Sequence, residues 1–420
     1  MHHFEYKNGQ FHCEDVPLSE IAEQVGTPFY CYSYATLHRH FTVFDKAFEK
    51  VPHTICFAVK ANSNLSVLRL FAKEGGGADV VSGGELFRAL KAGVPADKIV
   101  YAGVGKTKEE IRQALGAGIL MFNVESSQEL LAIDTVAAEM GVKAPIALRI
   151  NPAVDPKTHP YISTGLKTSK FGISYAHAIE EYRHAASLEN IEVVGVHKHI
   201  GSQITLVSPF VDALEKTLDV VKNLEEEGIG IRYIDIGGGL GIPYKDEAPP
   251  HPKELAENIV PMLEKTGLHI IFEPGRVIAG NAGALVTRVL YTKENEEKIF
   301  FIVDAGMNDL VRPSLYDSYQ HVAPVDESVG LRRKISSDVV GPICESGDFL
   351  ARDRVLPEFK PGDLMAVMSA GAYGFTMSSN YNSRPRVPEV LVKGDSYDII
   401  RDRENYDDLV KGERIPSYLK

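Results

Sequence analysis

The sequence predicts a closed parallel (β/α)8 barrel of the TIM type together with a second, all-β domain. Between about residues 54 and 273, short β-rich segments alternate with amphipathic helical segments, and eight strands can be counted. After about residue 280, β-branched runs follow one another without long helices. The alternation is typical of a parallel sheet covered by helices, and eight such units close into a barrel. An open doubly wound sheet is the weaker alternative.

The predicted barrel strands are rich in apolar and β-branched residues. They lie at 54–59, 78–81, 98–101, 119–123, 145–150, 192–199, 231–236 and 269–272. Apolar residues at helical spacing lie between them at 64–74, 85–92, 108–117, 127–140 and 209–227. Each helical segment is long enough for the crossover that joins two neighbouring parallel strands.

The second domain is predicted from β-rich runs that turn residues separate, such as Pro361-Gly362-Asp363. The runs lie at 284–291, 299–304, 338–343, 363–368 and 387–392. Short extended runs also precede the first barrel unit. We therefore expect a barrel domain over residues 32–280 and a β domain formed by residues 1–31 together with residues 281–420.

One long segment, 151–172, follows the fifth predicted strand without a regular pattern. Loops of this length in compact domains commonly bind or cover a ligand. The segment contains His159, Lys167 and Lys170, and our hypothesis is that it forms a lid over a bound substrate.

The composition favours a small-molecule enzyme. The 420 residues carry a formal net charge of −12, and no basic block interleaved with aromatic residues suggests a nucleic-acid surface. The sequence contains neither an export signal nor an apolar run of membrane-spanning length, so we expect no membrane association and a cytoplasmic location. The four cysteines lack the spacing of a metal site or a disulfide framework, so we expect free thiols and no metal.

Polar residues and glycines follow the predicted barrel strands, at the end where active sites of this fold collect. They are Lys60 after the first strand, Ser82 after the second, Arg149 in the fifth, His197 and His199 in the sixth, Gly237, Gly238 and Gly239 after the seventh, and Glu273, Pro274, Gly275 and Arg276 after the eighth. A single lysine at a strand end is usually solvated. Because several other polar residues and glycines are predicted at the same end of the barrel, Lys60 is a candidate amine for reaction with a carbonyl.

The glycine run after the seventh strand is a candidate phosphate site. Without Cβ atoms, consecutive backbone N–H groups can approach an anion closely, although a plain tight turn is an equally simple interpretation. The loops after strands seven and eight are the usual phosphate site of this barrel, which favours a phosphorylated ligand. The spacing matches neither a Walker loop nor the dinucleotide fingerprint.

Glu273 ends an apolar strand, where a carboxylate is more often a structural anchor than a catalyst. If the phosphate belongs to pyridoxal phosphate, this carboxylate has a task, since it can keep the ring nitrogen protonated. Arg276 can then bind a substrate carboxylate through two hydrogen bonds. We expect only one of His197 and His199 to face the barrel mouth, because side chains alternate across a sheet.

Six segments occur in the order seen in fold-type III pyridoxal-phosphate decarboxylases. They are 57–62 (FAVKAN), 197–203 (HKHIGSQ), 237–239 (GGG), 273–276 (EPGR), 344–348 (CESGD) and 371–374 (GAYG). The chain resembles this family from its N-terminal strand region to the tyrosine loop, and the six segments together are far more specific than any one of them. The resemblance implies an alanine-racemase/ornithine-decarboxylase-like fold with pyridoxal 5′-phosphate as cofactor.

The resemblance also implies roles for the cofactor-binding residues. Lys60 would hold the cofactor as a Schiff base, His199 would stack on its ring, and Glu273 would pair with the ring nitrogen. The remaining candidates around the cofactor are Ser202, Gly237, Gly238, Gly239, Gly275, Arg276 and Tyr373. Cys344 would return a proton to carbon after carbon dioxide leaves, and negative charge from its neighbours Glu345 and Asp348 would disfavour the thiolate.

The resemblance further implies the substrate. Arg276, Arg312, Tyr316 and Tyr373 match positions that bind the substrate, with the two arginines and Tyr316 on its distal carboxylate, and Glu345 would take the distal ammonium. This pattern fits meso-2,6-diaminopimelate, decarboxylated at its D-centre to L-lysine and carbon dioxide in the last step of lysine biosynthesis. A homodimer is implied, with Cys344 and Glu345 entering each site from the partner subunit.

Three alternatives stay open on the sequence alone. A carboxynorspermidine, ornithine or arginine decarboxylase would share the cofactor chemistry, but Arg312 and Tyr316 speak against it. An alanine-racemase-like enzyme would share the barrel and the lysine, but it needs a second base on the opposite face of the ring. A non-catalytic regulator with this fold would have no need to keep Lys60, Glu273 and Cys344 together.

Overall fold

The computed structural model describes residues 2–155, 164 and 169–420. The chain divides into two compact units, which are His38–Ala279 and the combination of Met1–Leu37 with Gly280–Lys420. We call them the barrel unit and the β unit. Of the proposed lid residues, His159 and Lys167 lie outside the described residues, whereas Lys170 is described and places its ammonium 5.3 Å from the ring centre of Phe171.

The elements run in chain order as follows. The N-terminal region has β1 (Phe4–Lys7), β2 (Gln10–Cys13), β3 (Val16–Pro17), α1 (Leu18–Val25), β4 (Phe29–Ser33) and α2 (Tyr34–Ala47). The barrel then has β5 (His53–Ala58), α3 (Leu65–Lys73), β6 (Gly77–Val80), α4 (Gly83–Ala92), β7 (Ile99–Tyr101), α5 (Lys108–Ala117), β8 (Met121–Val124), α6 (Ser127–Met140), β9 (Ala144–Asn151), β10 (Ile173–Ser174), α7 (Ala178–Ser187), β11 (Ile191–His197), α8 (Ser208–Glu226), β12 (Tyr233–Asp235), α9 (Pro252–Leu263), β13 (His269–Phe272) and α10 (Arg276–Ala279).

The remaining elements belong to the β unit. They are β14 (Gly283–Glu294), β15 (Ile299–Val303), α11 (Arg312–Tyr316), β16 (Val322–Pro324), α12 (Glu327–Gly330), β17 (Lys334–Val340), β18 (Phe349–Pro357), β19 (Leu364–Val367), β20 (Glu389–Lys393), β21 (Ser396–Arg401) and α13 (Tyr406–Leu409).

Eight parallel strands close the barrel in the order β5, β6, β7, β8, β9, β11, β12 and β13, with β13 pairing back to β5. The short β10 pairs with the end of β9. The predicted closed (β/α)8 barrel with a separate β domain is therefore confirmed, and the open doubly wound sheet is excluded. The predicted and observed ends of the eight barrel strands differ by no more than two residues, which is the ordinary uncertainty of such boundaries.

Capping residues define the ends of the barrel helices. Ser82 caps α4, and Thr107 forms a complete capping box with Glu110 at the start of α5. Gly93 and Gly118 end the same two helices in the left-handed conformation, which a glycine adopts without a steric penalty. Short connections of this kind return the chain to the next strand and align the strand ends at the barrel mouth.

A layer of fully buried apolar side chains fills the barrel interior. It consists of Cys56, Val100, Met121, Ala147, Val194 and Ile271. Residues two apart on a strand share a face, so the next inward positions toward the carboxyl ends are Asn123 after Met121 and Glu273 after Ile271. The apolar layer thus forms the floor beneath a layer of polar side chains.

In the β unit, the long β14 joins two groups of strands. The main sheet has the order β18, β17, β15, β14, β4, β20 and β21, and β4 lies between β14 and β20. Strand β4, which comes from the N-terminal part of the chain, is therefore a central strand of a sheet whose other strands come from the C-terminal part. Phe11, Phe29, Val286, Met368 and Val390 belong to its buried core. Across both units, no described helix combines the length and the hydropathy that a membrane crossing requires.

Candidate active site

Lys60 lies in a 3-10 turn, Val59–Ala61, immediately after the first barrel strand. Its Nζ atom is 2.7 Å from Oδ2 of Asp79, which belongs to β6 and is fully buried. Burial and the nearby Glu273 raise the pKa of Asp79, and the ion pair with Lys60 opposes this rise. The lysine side chain itself remains 36% exposed, so its amine is fixed by an acid and is still accessible.

Glu273 is the centre of a buried polar cluster. The Nε2 atom of His197 is 3.6 Å from Oε1 of Glu273, and Nδ2 of Asn123 donates to Oδ2 of Asp235 at 2.9 Å and to Oε1 of Glu273 at 3.1 Å. Burial alone would raise the pKa of Glu273, but His197 and Lys60 lower it well below its usual range. Burial and Glu273 instead raise the pKa of Asp235 far above its usual range. Negative charge is therefore favoured on Glu273 and disfavoured on Asp235.

Both histidines of the sixth strand belong to the site, so the expectation that only one would face the mouth is wrong. His197 contacts Glu273, and Nδ1 of His199 accepts a hydrogen bond from the Gly238 N–H at 3.2 Å. The reason is the two-residue period of a strand, which places these positions on one face. Burial, Arg149 and Lys60 lower the pKa of His199 well below its usual range, so its ring is neutral.

The glycine run Gly237–239 packs directly on its neighbours. A Cβ atom at Gly237 would lie 2.7 Å from the carbonyl oxygen of Lys198, and one at Gly238 would lie 2.1 Å from that of Glu273. Gly237 and Gly239 also have positive φ angles of 67° and 119°. No other residue type fits these positions without moving the backbone, so the loop is a close-packed backbone surface at the barrel mouth.

Arg276 begins the short α10 and is buried. Its NH2 atom donates to Oγ of Ser202 at 3.0 Å, and its NH1 atom donates to the Tyr244 hydroxyl at 2.6 Å. The guanidinium is thereby held beside Ser202, another predicted site residue. Gly275 accepts the N–H groups of Ile278 and Ala279 and so begins this helical turn.

Arg149 has a partner that the sequence did not indicate. Its NH1 atom lies 2.7 Å from Oε1 of Glu125, and both side chains are almost fully buried. Oε2 of Glu125 accepts the Gly172 N–H at 2.8 Å. This ion pair anchors the C-terminal end of the segment proposed as a lid.

In the β unit, Arg312 and Tyr316 lie at the two ends of α11. The guanidinium of Arg312 is 5.6 Å from the ring centre of Tyr316, which is close enough for a cation–π interaction. Arg312 is buried, and Tyr316 is half-buried. Tyr373 has a left-handed backbone conformation with φ 56°, which is uncommon for a residue with a bulky side chain.

Cys344 and Glu345 are both exposed, on a loop that the β unit holds by its backbone. The carboxylate of Asp348 accepts the N–H of Met307 at 2.6 Å and the N–H of Ile343 at 2.7 Å. The Cys344 N–H donates to Oδ1 of Asn382 at 2.7 Å. The loop therefore has a fixed course, while its thiol and its carboxylate face outward.

Sequence reasoning missed Asp79, Asn123, Asp235 and Tyr244. Three of them interrupt apolar strand segments at their carboxyl ends, in Ala78-Asp79-Val80, Phe122-Asn123-Val124 and Ile234-Asp235-Ile236. A polar residue inside a buried strand needs a partner, and this signal was present in the sequence. Tyr244 lies in the loop after β12 and carried no such signal.

The cluster also satisfies the spacing of a metal site, because ligand atoms of His197, Asp235 and Glu273 lie within 4.8 Å of one another. The amide nitrogen of Asn123, however, donates to both carboxyl groups. Hydrogen bonding therefore accounts for this arrangement without a cation.

The residues of the barrel mouth fit pyridoxal phosphate. Oδ1 of Asp79, Oδ1 of Asn123 and both ring nitrogens of His197 are buried without a hydrogen-bond partner. Lys60 supplies the amine, Glu273 an ionised acid for a pyridine nitrogen, and the glycine run a backbone surface for a phosphate.

Comparison with known proteins agrees with this fit. The family "Pyridoxal-dependent decarboxylase, pyridoxal binding domain" matches residues 34–280. The diaminopimelate decarboxylases of Aquifex aeolicus and Vibrio cholerae are 52% and 53% identical to the chain, with at least 97% of each sequence covered.

Two solved structures were determined with bound L-lysine. The diaminopimelate decarboxylase of Helicobacter pylori has a TM-score of 0.90 at 45% identity and covers 94% of this chain and 98% of its own. That of M. jannaschii has a TM-score of 0.94 at 42% identity and covers 99% of both chains. Because the match in sequence and in fold spans nearly the whole chain, the protein belongs to the diaminopimelate decarboxylases within the pyridoxal-dependent decarboxylase family.

Proposed function

We propose that the chain decarboxylates meso-2,6-diaminopimelate at its D-centre, with pyridoxal phosphate as cofactor, and produces L-lysine and carbon dioxide. This is the last step of lysine biosynthesis. The observation that carries the proposal is that an accessible amine, Lys60, and a buried acid whose pKa is lowered, Glu273, both lie at the carboxyl end of one barrel. The relatives named above support the choice of substrate, and the composition supports a cytoplasmic location.

Within the barrel unit, the residues divide the work of holding the cofactor. Lys60 would bind it covalently, Glu273 would pair with the ring nitrogen, and the neutral ring of His199 would stack on it. Ser202, the glycine run, Gly275 and Arg276 are the other proposed cofactor residues of this unit, and Tyr373 of the β unit completes the proposed set. Bound pyridoxal phosphate supplies an electron sink that accepts the electron pair left when the carboxylate departs.

Asp79 has a proposed task in proton transfer at Lys60. The 2.7 Å ion pair holds the lysine ammonium at the mouth. Since the pKa of Asp79 is raised by burial, this carboxylate can take a proton from the ammonium and return it. An amine that is alternately protonated and neutral is what covalent attachment and release require.

Charge complementarity would select the substrate's distal end. Arg276, Arg312 and Tyr316 are proposed to bind its carboxylate, Glu345 its ammonium, and Tyr373 completes the contact. A substrate with an amine but no carboxylate at this end would place a second positive charge beside the buried guanidinium of Arg312, and like charges repel each other. The set therefore disfavours ornithine.

Cys344 is the proposed donor of the proton that replaces the carboxylate. We propose that it enters the site from a partner subunit together with Glu345, so that the functional unit is a homodimer. The exposure of both side chains on a loop anchored by Asp348 supports this arrangement. The segment 151–172 is our candidate for the lid.

The test is carbon dioxide release by the purified protein loaded with pyridoxal phosphate. Meso-diaminopimelate, L-ornithine, L-arginine and carboxynorspermidine are offered in parallel. We expect release from meso-diaminopimelate alone, with L-lysine as the product. Preference for one of the other three would contradict the distal-carboxylate assignment, and inactivity on all four would contradict the proposed function.

A further inference from the structure

The proposed chemistry of the site gives Glu273 a task, and the structure places beside it a buried carboxyl group, Asp235, that has no part in this chemistry so far. Asp235 ends β12 and is fully buried. Its Oδ1 atom accepts the Gly237 N–H at 2.9 Å, and its Oδ2 atom accepts from Asn123 at 2.9 Å. Ligand atoms of Asp235 and Glu273 also lie within 4.8 Å of each other, and the amide nitrogen of Asn123 donates to both carboxyl groups. One carboxyl group thus contacts both the glycine run and the acid proposed to pair with the ring nitrogen.

Ionising both carboxyl groups, that of Asp235 and that of Glu273, is energetically unfavourable. Both lie in the same buried cluster and share the single amide nitrogen of Asn123. Two carboxylates that both contact the same nitrogen atom lie close together, and their negative charges repel each other strongly in the low-dielectric interior. One of the two groups therefore keeps its proton.

The different neighbours of the two carboxyl groups decide which of them keeps the proton. Glu273 has His197 at 3.6 Å and interacts favourably with Lys60, whereas the contacts of Asp235 with Gly237 and Asn123 are hydrogen bonds to neutral groups. The charge is therefore more stable on Glu273. Because Oδ1 of Asp235 accepts the Gly237 N–H, a proton on Asp235 would be carried by Oδ2, the oxygen that shares the amide nitrogen of Asn123 with Glu273.

We propose that Asp235 is a positioning residue that acts as a neutral acid, orients the Glu273 carboxylate by a hydrogen bond, and ties it to the glycine run through Gly237. This inference rests on the proposed function. Asp235 would not touch the reacting atoms. It would fix the distance between the acid that pairs with the ring nitrogen and the backbone that binds the phosphate, and both must fit the same rigid cofactor.

The experiment is a double-mutant cycle read by cofactor binding. The single variants are Asp235→Ala, Asp235→Asn and Glu273→Gln, and the double variants combine each Asp235 change with Glu273→Gln. The dissociation constant for pyridoxal phosphate is obtained by titrating the apoprotein, and the absorption spectrum of the bound cofactor is recorded. Thr217→Val, which removes a buried hydroxyl that donates to Ala213 within α8, is the control for the general effect of losing a buried polar group.

We expect Asp235→Ala to weaken cofactor binding by about 10- to 100-fold, the range typical of residues that orient a ligand's direct partner. Asp235→Asn should weaken binding clearly less than Asp235→Ala, because its amide can donate toward Glu273 and accept the Gly237 N–H, although its nitrogen cannot accept from Asn123 as Oδ2 does. In the Glu273→Gln background, Asp235→Ala should cost about twofold or less, since two residues that act through one contact are not additive.

Two results would overturn the inference. One is an Asp235→Asn variant as weak as Asp235→Ala, which would mean that the residue acts as a charge. The other is full additivity with Glu273→Gln, which would mean that Asp235 only supports the fold. If Asp235→Ala does not fold, the Asn variant and its double variant still decide the question. Wild-type protein that fails to bind the cofactor or to release carbon dioxide would instead contradict the proposed function.

Discussion

The barrel unit and the β unit present their functional residues in opposite ways. At the barrel mouth, Lys60, Asp79, His197 and Glu273 contact one another or a shared neighbour over 2.7 to 3.6 Å, and all but Lys60 are buried. In the β unit, Cys344 and its neighbour are exposed, and their loop is fixed through the backbone.

This difference indicates a division of labour. Buried groups that hold one another in place are preorganised to bind a cofactor tightly within one chain. An exposed thiol on a rigid loop is arranged to act on something outside its own surroundings, and a second subunit is the partner we propose.

The largest effect is expected for Lys60→Ala. Removing the amine abolishes covalent cofactor attachment, so kcat should fall by more than about 1,000-fold. Borohydride reduction followed by mass spectrometry should label the wild-type protein at Lys60 and leave the variant unlabelled. Lys73→Ala, an exposed lysine of α3, is the control and should behave as wild type. A variant with normal kcat would disprove the role of Lys60.

Cys344→Ala should lower kcat by about 100- to 10,000-fold, because the proton returned to carbon loses its donor. Ser346→Ala, on the same exposed loop, should change kcat little. Cofactor affinity should be unchanged in both, since the barrel unit is proposed to supply most of the cofactor contacts.

The same variant tests the dimer directly. Inactive Lys60→Ala and Cys344→Ala proteins are mixed in equal amounts and allowed to exchange subunits. If each site takes its cysteine from the partner, the mixture should recover about a quarter of wild-type activity, because half of the dimers contain one intact site. If subunit exchange is verified independently and no activity is recovered, Lys60 and Cys344 act in the same subunit. This result would contradict the proposal that Cys344 serves the site of a partner subunit.

Arg312→Ala should affect substrate choice more than turnover. Loss of a buried cation that binds a carboxylate should lower kcat/KM for meso-diaminopimelate by about 10- to 100-fold, mainly through KM. The ratio of kcat/KM for meso-diaminopimelate to that for L-ornithine should fall by a similar factor. Arg352→Ala removes an arginine whose side chain is 52% exposed and is the control. An unchanged ratio would remove Arg312 from the substrate site.

The smallest effect concerns stability and pH. Burial raises the pKa of Glu85, beside Asp79 and Lys60, from an ordinary 4.5 to about 7. Below pH 4.5 the group is protonated in both states. As pH rises from 4.5 to 7, the unfolded chain ionises more readily than the folded one, so the free energy of unfolding falls.

Glu85→Gln removes the ionisable group and therefore abolishes this fall in the free energy of unfolding. Relative to wild type, the variant should gain about 2–3 kcal/mol in free energy of unfolding between pH 4.5 and pH 8, as measured by urea denaturation. Glu180→Gln changes a side chain that is 83% exposed and should shift the curve little. Parallel pH curves for Glu85→Gln and wild type would mean that the carboxyl group is not buried as described.

Much of the barrel could be read from the sequence, because its strands and helices have different hydrophobic periods and its glycines and charges collect at strand ends. Lys60, Glu273 and the glycine run were found in this way. The partners of Glu273 were not, since Asn123 and Asp235 come from strands that meet it only after the barrel closes.

Other misses have local causes. Strand β18 was not predicted, because Arg352, Asp353 and Arg354 interrupt its apolar pattern. The prediction placed His197 and His199 on opposite faces of the strand. It was wrong because positions two apart in a strand share a face. Exposure of Cys344 could not be predicted either, because it depends on how Asp348 anchors the loop.

The most direct test of the account uses meso-diaminopimelate labelled with carbon-13 only in the carboxylate of its D-centre. With cofactor-loaded wild-type protein, we predict that all of the label appears in carbon dioxide and that the lysine formed is unlabelled and of the L-configuration. Label retained in lysine would mean that the other centre reacts. No carbon dioxide at all would contradict the proposal that this barrel mouth carries out the decarboxylation.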